Sequence, residues 1–223
     1  MPWKKFNRAF EPGIMTEFYH QASTGKLLER QININPIWFN FQNGGFFGYL
    51  VNPTYQLLTE PFAPLGVNIS EGKYKYTRHQ FYVSTDPSRM FNFFMQYETG
   101  KYFDGKLDIV DTRLQFSPIP NVSLTARTVR NRFSGVGNPL SSAVVDLYSM
   151  EGRLALNPRL QLAGFYQLNS ENNFANVNFR LSWEYRPLSF IYLVYNRRAF
   201  DNTLLKRQSD DHLIAKLSYL RQL

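Results

Sequence analysis

From Val177 to Arg186 the sequence VNFRLSWEYR alternates apolar and polar residues without a miss. Val177, Phe179, Leu181, Trp183 and Tyr185 fall on one side, and Asn178, Arg180, Ser182, Glu184 and Arg186 on the other. Successive strand side chains project to opposite faces, so this spacing predicts a strand with one greasy and one wet surface. A helix would spread both sets around its circumference. The segment also has about the 9 to 11 residues that a tilted strand needs to cross a bilayer. The constraint on the rest of the chain is therefore what covers the greasy face, a protein core or lipid.

The same rhythm recurs on both sides of this segment. Tyr148, Met150, Gly152, Leu154 and Leu156 oppose Ser149, Glu151, Arg153 and Ala155, and Asn157-Pro158-Arg159 turns the chain. Leu160, Leu162, Gly164, Tyr166 and Leu168 oppose Gln161, Ala163, Phe165 and Gln167. Upstream, Phe81 and Val83 oppose Arg78, Gln80, Tyr82 and Ser84; Phe91, Phe93, Met95 and Tyr97 oppose Asn92, Gln96 and Glu98, with Phe94 out of pattern. Val110, Leu114 and Phe116 oppose Asp111, Arg113 and Gln115, and Val122, Leu124, Ala126 and Thr128 oppose Ser123, Thr125 and Arg127. The last strand sets Leu213, Ala215, Leu217, Tyr219 and Leu223 against Lys216, Ser218 and Gln222, while Phe190 to Asn196 is apolar on both sides. Before Tyr74 the pattern is poorer, with strands expected at Ile14–Ala22, Leu27–Asn35 and Phe46–Leu58 and a loop over Thr59–Lys73.

About twelve strands and no convincing helical period predict an all-β fold in a single domain over residues 1–223, with 1–73 the weakest part. The 20 Phe, 14 Tyr and 3 Trp suit a pleated sheet. Connections at Asp86–Ser88, Ser117–Asn121, Asn157–Arg159 and Pro187–Ser189 read as short, and those at Thr99–Gly105, Asn131–Ala143 and Arg197–Asp211 as longer. That alternation is the one expected of an antiparallel up-and-down transmembrane β-barrel with short periplasmic turns and longer external loops. Phe91, Phe116, Trp183, Tyr185 and Tyr219 fall near the short-turn ends on the apolar side, where an interfacial aromatic girdle belongs. Outer-membrane lipid is the partner this implies. A soluble barrel or sandwich is the alternative.

Several chemistries are disfavoured by composition. With no cysteine there is no disulfide scaffold and no thiolate ligand or nucleophile. The formal charge of +8 is dispersed over alternate strand positions rather than gathered into runs, Trp3-Lys4-Lys5 being the sharpest cluster, so no nucleic-acid partner is expected. Lys73-Tyr74-Lys75-Tyr76 imitates a single-strand platform, yet girdle tyrosines with flanking lysines is the preferred meaning. No stretch of about 18 uncharged apolar residues occurs, and Met1–Gly13 has no apolar signal core, so an exported chain would be a mature form or a fragment.

At Asn176–Asn196, NVNFRLSWEYRPLSFIYLVYN, and at Asp210–Leu220, DDHLIAKLSYL, the chain resembles the C-terminal barrel region of large outer-membrane proteins. In those proteins an N-terminal carbohydrate-binding domain of the family 9 type precedes a barrel of unassigned function. Gly100–Gly105, GKYFDG, and Glu71–Tyr74, EGKY, look like the same region, so the likeness runs from about Gly66 to the end, with WEYRP its most specific piece. It implies a bacterial outer-membrane address, a barrel and a link to glycan handling, and it implies no reaction. The carbohydrate-binding domain is absent, so no sugar-binding residue carries over. The shorter length fits a C-terminal fragment as well as a compact relative.

Arg78, Arg113, Arg127, Arg153, Arg180, Glu184, Arg186 and Lys216 project to the polar side and are the candidate lumen-lining residues. One reading is a basic lumen that favours a small anionic or glycan solute. The preferred one is a ladder of cross-strand ion pairs that stiffens and fills a narrow interior. Tyr219 and Leu223 close the last strand as a signal for the barrel-assembly machinery. Among the three histidines, His20 is isolated and His79 falls on the apolar side, which leaves Ser209-Asp210-Asp211-His212 as the one candidate for a rim hydrolase. Asp211 and His212, adjacent on a strand, point apart and form no dyad. No catalytic residue, metal ligand set or cofactor motif is assigned. The expected function is a passive pore or membrane scaffold, with a rim hydrolase and a soluble all-β binding module as rivals.

Overall fold

The structure, a computed structural model, describes residues 5–137, 141–171, 173–202 and 205–221. Its strands are β1 (Asn7–Phe10), β2 (Gly13–His20), β3 (Leu27–Phe41), β4 (Phe46–Leu58), β5 (Gly72–Ser84), β6 (Phe91–Tyr102), β7 (Gly105–Ile119), β8 (Val122–Val136), β9 (Ser141–Asn157), β10 (Leu160–Asn169), β11 (Phe174–Arg186), β12 (Ser189–Asn202) and β13 (Leu205–Ser218). They form one antiparallel up-and-down sheet of 13 strands in the order β1-β3-β4 and onward to β13, with β2 also on β3. The two short strands share one edge of β3, β1 against Phe39–Phe41 and β2 against Leu27–Asn35, so the sheet is twelve positions wide. Pro12 cannot donate to the ladder, which is why the edge breaks there. Glu11 spans the break: its amide donates to the Trp38 carbonyl at 2.9 Å, and its carboxylate accepts from Asn40 Nδ2 at 2.7 Å.

Several turns follow the side-chain chemistry read from the sequence. Asp86 Oδ1 accepts from the Ser88 amide at 2.9 Å and from its hydroxyl at 2.7 Å, and Asn157 Oδ1 accepts from the amides of Arg159 and Leu160 at 2.8 and 2.9 Å. Connections at the other strand ends differ from expectation. Instead of a longer loop over Thr99–Gly105, β6 runs to Tyr102, β7 starts at Gly105, and Phe103-Asp104 alone turns the chain. Likewise β8 continues to Val136, and β12 to Asn202 with β13 resuming at Leu205. At Phe103-Asp104 the expected longer loop is replaced by a two-residue turn, because backbone pairing continues past the point where the apolar alternation stops. Alternation reports what covers a face, whereas a ladder needs only amides and carbonyls.

The residues cluster into two compact units. Unit 1 holds residues 1–88, 92–112 and 129–145, and unit 2 holds 89–91, 113–128 and 146–223. Within unit 1 the segment between β4 and β5 is folded rather than an open loop. Phe62 and Ile69 exchange both backbone hydrogen bonds, at 2.9 and 2.8 Å, around a 3-10 turn at Pro64–Gly66. This places Val67 and Ile69 in a buried cluster with Phe103, Leu107, Phe133 and Val136. Phe103 is its hub, with ring centroids 4.7 Å from Tyr102, 5.0 Å from Tyr74, 5.4 Å from Tyr76 and 6.2 Å from Phe62. Its φ of 51° is left-handed, a strain that the tight Phe103-Asp104 turn imposes and the ring's burial offsets.

Candidate functional site

The two faces of the sheet can be followed residue by residue through the strand registers. In unit 2, Tyr148, Met150, Gly152 and Leu154 of β9 sit opposite Leu168, Tyr166, Gly164 and Leu162 of β10. The row continues through Val177, Phe179 and Leu181 of β11, then Leu193 and Ile191 of β12, to Ala215 and Leu217 of β13. This settles β12, which the sequence left unassigned: Ile191, Leu193 and Tyr195 belong to the apolar face, and Tyr192 and Val194 to the polar one. The apolar face is open, with Phe179 51 % and Leu213 77 % exposed. Among the described residues of unit 2, Ser189 alone is buried. Phe179 lies over Gly164, where a Cβ would stand 2.9 Å from its ring, so a glycine is required for that ring to lie flat on the sheet.

Unit 1 buries polar side chains beside its apolar cluster and leaves large apolar ones exposed. Arg78 is 3 % exposed and Asn52, Thr54, Ser84, Asn92 and Asp111 are buried, while Ile14, Phe18, Ile37, Phe47 and Phe81 are exposed. Most of these buried polar groups are hydrogen-bonded to side chains or backbone, whereas Arg78 Nη2 is buried without a hydrogen-bond partner among the described residues. Arg78 Nε donates to Glu98 at 2.7 Å and Nη1 to the carbonyls of Gly100 and Leu107 at 3.1 and 2.5 Å, and its guanidinium stands 5.8 Å from the centre of the Tyr102 ring. Thr54 donates to Asn52 at 2.6 Å, and Asn52 to Asn33 at 2.5 Å. Towards the Asn43–Gly45 turn the same inner face carries stacked aromatics, Trp38 5.3 Å from Phe46 and 5.8 Å from Tyr82, with Phe46 6.4 Å from Phe94. This accounts for Phe94, the residue out of pattern in the sequence: it fills the inner face beside Phe46.

Each candidate residue can now be placed. Arg78 is a buried clamp between β5, β6 and β7 and is not presented to a solute. Arg180 and Glu184 lie on the polar face of β11, but they do not join an ion-pair ladder. Arg180 Nε donates to Ser182 at 3.1 Å and its guanidinium covers the Tyr192 ring at 5.1 Å, and Glu184 accepts the turn amide of Leu188 at 2.8 Å. Arg153, Arg186 and Lys216 make no ion pair among the described residues, whereas Arg113 and Arg127 do have interaction partners. Of these candidates Arg78 pairs with Glu98, and Arg180 and Glu184 make no ion pair among the described residues. Long exposed side chains gain little from pairing in water, and here stacking and turn contacts take their place.

The five aromatic candidates make these contacts. Phe91 and Phe116 stack at 4.7 Å, Trp183 and Tyr185 meet edge-on at 6.4 Å, the Tyr185 hydroxyl donates to the Ser218 carbonyl at 3.4 Å, and Tyr219 is exposed just past β13. Leu223 lies outside the described residues. Tyr74 and Tyr76 correct their reading as girdle residues, since both pack against Phe103 on the inner face and only Lys73 and Lys75 point outward. The pairing of Asp211 and His212 is absent as anticipated, because Asp211 turns to Tyr195 at 2.6 Å and Arg197 at 3.8 Å. His212 Nε2 instead lies 2.9 Å from Asp210, two residues away on the same face. That i, i+2 contact was missed in the sequence, and no hydroxyl is hydrogen-bonded to His212 among the described residues.

Compared with protein-family models, with curated proteins and with solved structures, the chain has no match.

Proposed function

We propose that the chain is an outer-membrane β-barrel that serves as a membrane scaffold with a filled interior. The observation that carries this reading is the exposed apolar face of unit 1, Ile14, Phe18, Tyr19, Ile37, Phe47 and Phe81, on a unit that buries Arg78, Asn52 and Asn92. In water such an arrangement forgoes about 25 cal/mol for each Å² of apolar surface left uncovered, and in a bilayer the same surface is solvated by lipid. The open apolar face of β9–β13 supports it independently. On β9 that face runs from Tyr148 to Leu156, roughly 27 Å along the strand at ~3.4 Å per residue and about 20 Å high at the usual tilt, close to the hydrophobic band of an outer-membrane barrel.

Scaffold is preferred to pore because the inner face of unit 1 is occupied along its length: Trp38 and Phe46 at one end, Arg78 and Glu98 between, and Ile69 with Phe103 at the other. A role in glycan handling and assembly through Tyr219 and the last strand belong to this proposal through sequence alone. Two measurements test it. After refolding, the protein should float with phosphatidylcholine vesicles and resist urea extraction; a protein that stays in aqueous solution without detergent refutes the membrane reading. In planar bilayers it should give no steady conductance, and discrete open channels would overturn the filled scaffold in favour of a pore.

A further inference from the structure

Where the apolar face of unit 1 ends, its character changes in a definite order. Along β5 the outward residues are Val83, Phe81, His79, Thr77 and Lys75; along β4, Phe47, Tyr49, Val51, Pro53 and Tyr55; along β6, Met95, Tyr97, Thr99 and Lys101. The Tyr49 hydroxyl and His79 Nδ1 meet at 2.8 Å, closing the apolar stretch with a satisfied polar pair. Immediately beyond it a cleft of 660 Å³ is lined by Arg30, Pro53, Lys75, Thr77, His79 and Lys101, among others. Arg30 and Lys75 share one row across β3, β4 and β5 through Tyr55. At ~4.8 Å between strands, their Cα atoms are about 10 Å apart, and Lys101, one strand on and two residues along, lies about 8 Å from Lys75. Side chains of this length can converge on one anionic group.

The three cations are not otherwise engaged. None of Arg30, Lys75 and Lys101 makes a hydrogen bond or ion pair among the described residues, and all three are exposed. The nearby carboxylates are taken up elsewhere. Glu98 is held by Arg78 and Glu29 by Gln31 on the opposite face, and Asp108 accepts from Thr99 and pairs with Lys106 at 3.0 Å. A cluster of like charges left unpaired where an apolar surface meets water is placed for a phosphate whose own tail lies along that surface.

We propose that the Arg30–Lys75–Lys101 cleft binds the phosphate headgroup of an anionic membrane lipid whose acyl chains lie against the apolar rows of β4, β5 and β6. The proposal rests on the membrane reading above. Arg30 supplies a planar fork that can take two phosphate oxygens, the lysines supply point charges, and Thr77 offers a hydroxyl at the floor. Selectivity for an anionic over a zwitterionic lipid should amount to about five-fold for each cation, screened by salt.

The test uses the full chain in phosphatidylcholine vesicles, with nitroxide-labelled phosphatidylglycerol and phosphatidylcholine as probes of the motionally restricted lipid. The wild type should restrict the anionic probe preferentially. The triple variant Arg30→Gln, Lys75→Gln, Lys101→Gln should lose at least ten-fold of that preference, and Arg153→Gln, Arg186→Gln, Lys216→Gln, with the same change in net charge, should keep it. The proposal is overturned if the first variant keeps the preference, or if both variants lose it equally. If inorganic phosphate displaces the labelled lipid, the site takes soluble phosphate and the lipid assignment falls. Flotation with phosphatidylcholine vesicles separates the two readings: a floating protein without anionic preference refutes this inference alone, and one that does not float refutes the membrane reading and this inference together.

Discussion

Replacing Phe103 tests whether the turn between β6 and β7 is an anchor of the unit 1 core or an ordinary surface loop. The ring is 6 % exposed and meets four other aromatic rings within 6.2 Å. Truncating a buried Phe to Ala costs about 3 to 5 kcal/mol, and each lost aromatic pair adds about 0.5 to 1.5 kcal/mol that does not sum fully, so Phe103→Ala should lose about 4 kcal/mol. The backbone makes a second, less obvious demand. At φ 51° an L-residue is strained by about 1 to 2 kcal/mol, a penalty glycine escapes, while glycine gives back about 0.5 to 1 kcal/mol through its freer unfolded chain. Phe103→Gly should therefore be at least as stable as Phe103→Ala, although it removes more of the side chain. Urea unfolding in lipid vesicles, followed by tryptophan fluorescence, measures both variants, with the midpoints compared at unchanged m. A loss below about 1 kcal/mol in Phe103→Ala would refute the anchor. A glycine variant clearly less stable than the alanine one would refute the left-handed turn.

Two further perturbations separate the faces. On the apolar face, Phe179→Arg should cost about 2 to 4 kcal/mol in a bilayer and reduce insertion into vesicles, whereas Arg180→Leu on the other face should leave insertion unchanged; equal effects would argue against a lipid-covered side. In the interior, Arg78→Met should cost about 3 to 5 kcal/mol by leaving Glu98 buried without its partner, and the double variant Arg78→Met, Glu98→Gln should recover much of that loss in the same unfolding assay, no recovery meaning that the backbone contacts of Arg78 dominate.

Alternation made the two faces legible in advance. Tyr148, Met150, Gly152 and Leu154, Leu162, Gly164, Tyr166 and Leu168, and Val177, Phe179 and Leu181, all given to the apolar side, share rows in the register, and so do Phe81, Val83, Met95 and Tyr97. It also located the hairpin turns wherever an Asp or Asn caps its own loop, as at Asp86 and Asn157. Elsewhere the signal was silent or misleading. Residues 99–102 carry no apolar alternation and read as loop, yet they continue β6. Residues 59–71, full of Pro and Gly, also read as loop, yet they send Val67 and Ile69 into the core. The cleft at Arg30, Lys75 and Lys101 could not be seen either, because its members come from three strands and meet only through the register.

By itself the sequence determined the class of the fold, its strand-and-turn rhythm and the sorting of side chains to two faces, since a period of two is a local property of the extended chain. Only the tertiary structure decided where strands end, what the segment after β4 covers, and that unit 1 buries Arg78, Asn52 and Thr54 beside an apolar cluster. Those depend on partners far away in sequence: Phe103 on residues 62 and 74, Arg78 on residues 98 and 107. A period shows that two faces differ, and packing shows which of them is the inside.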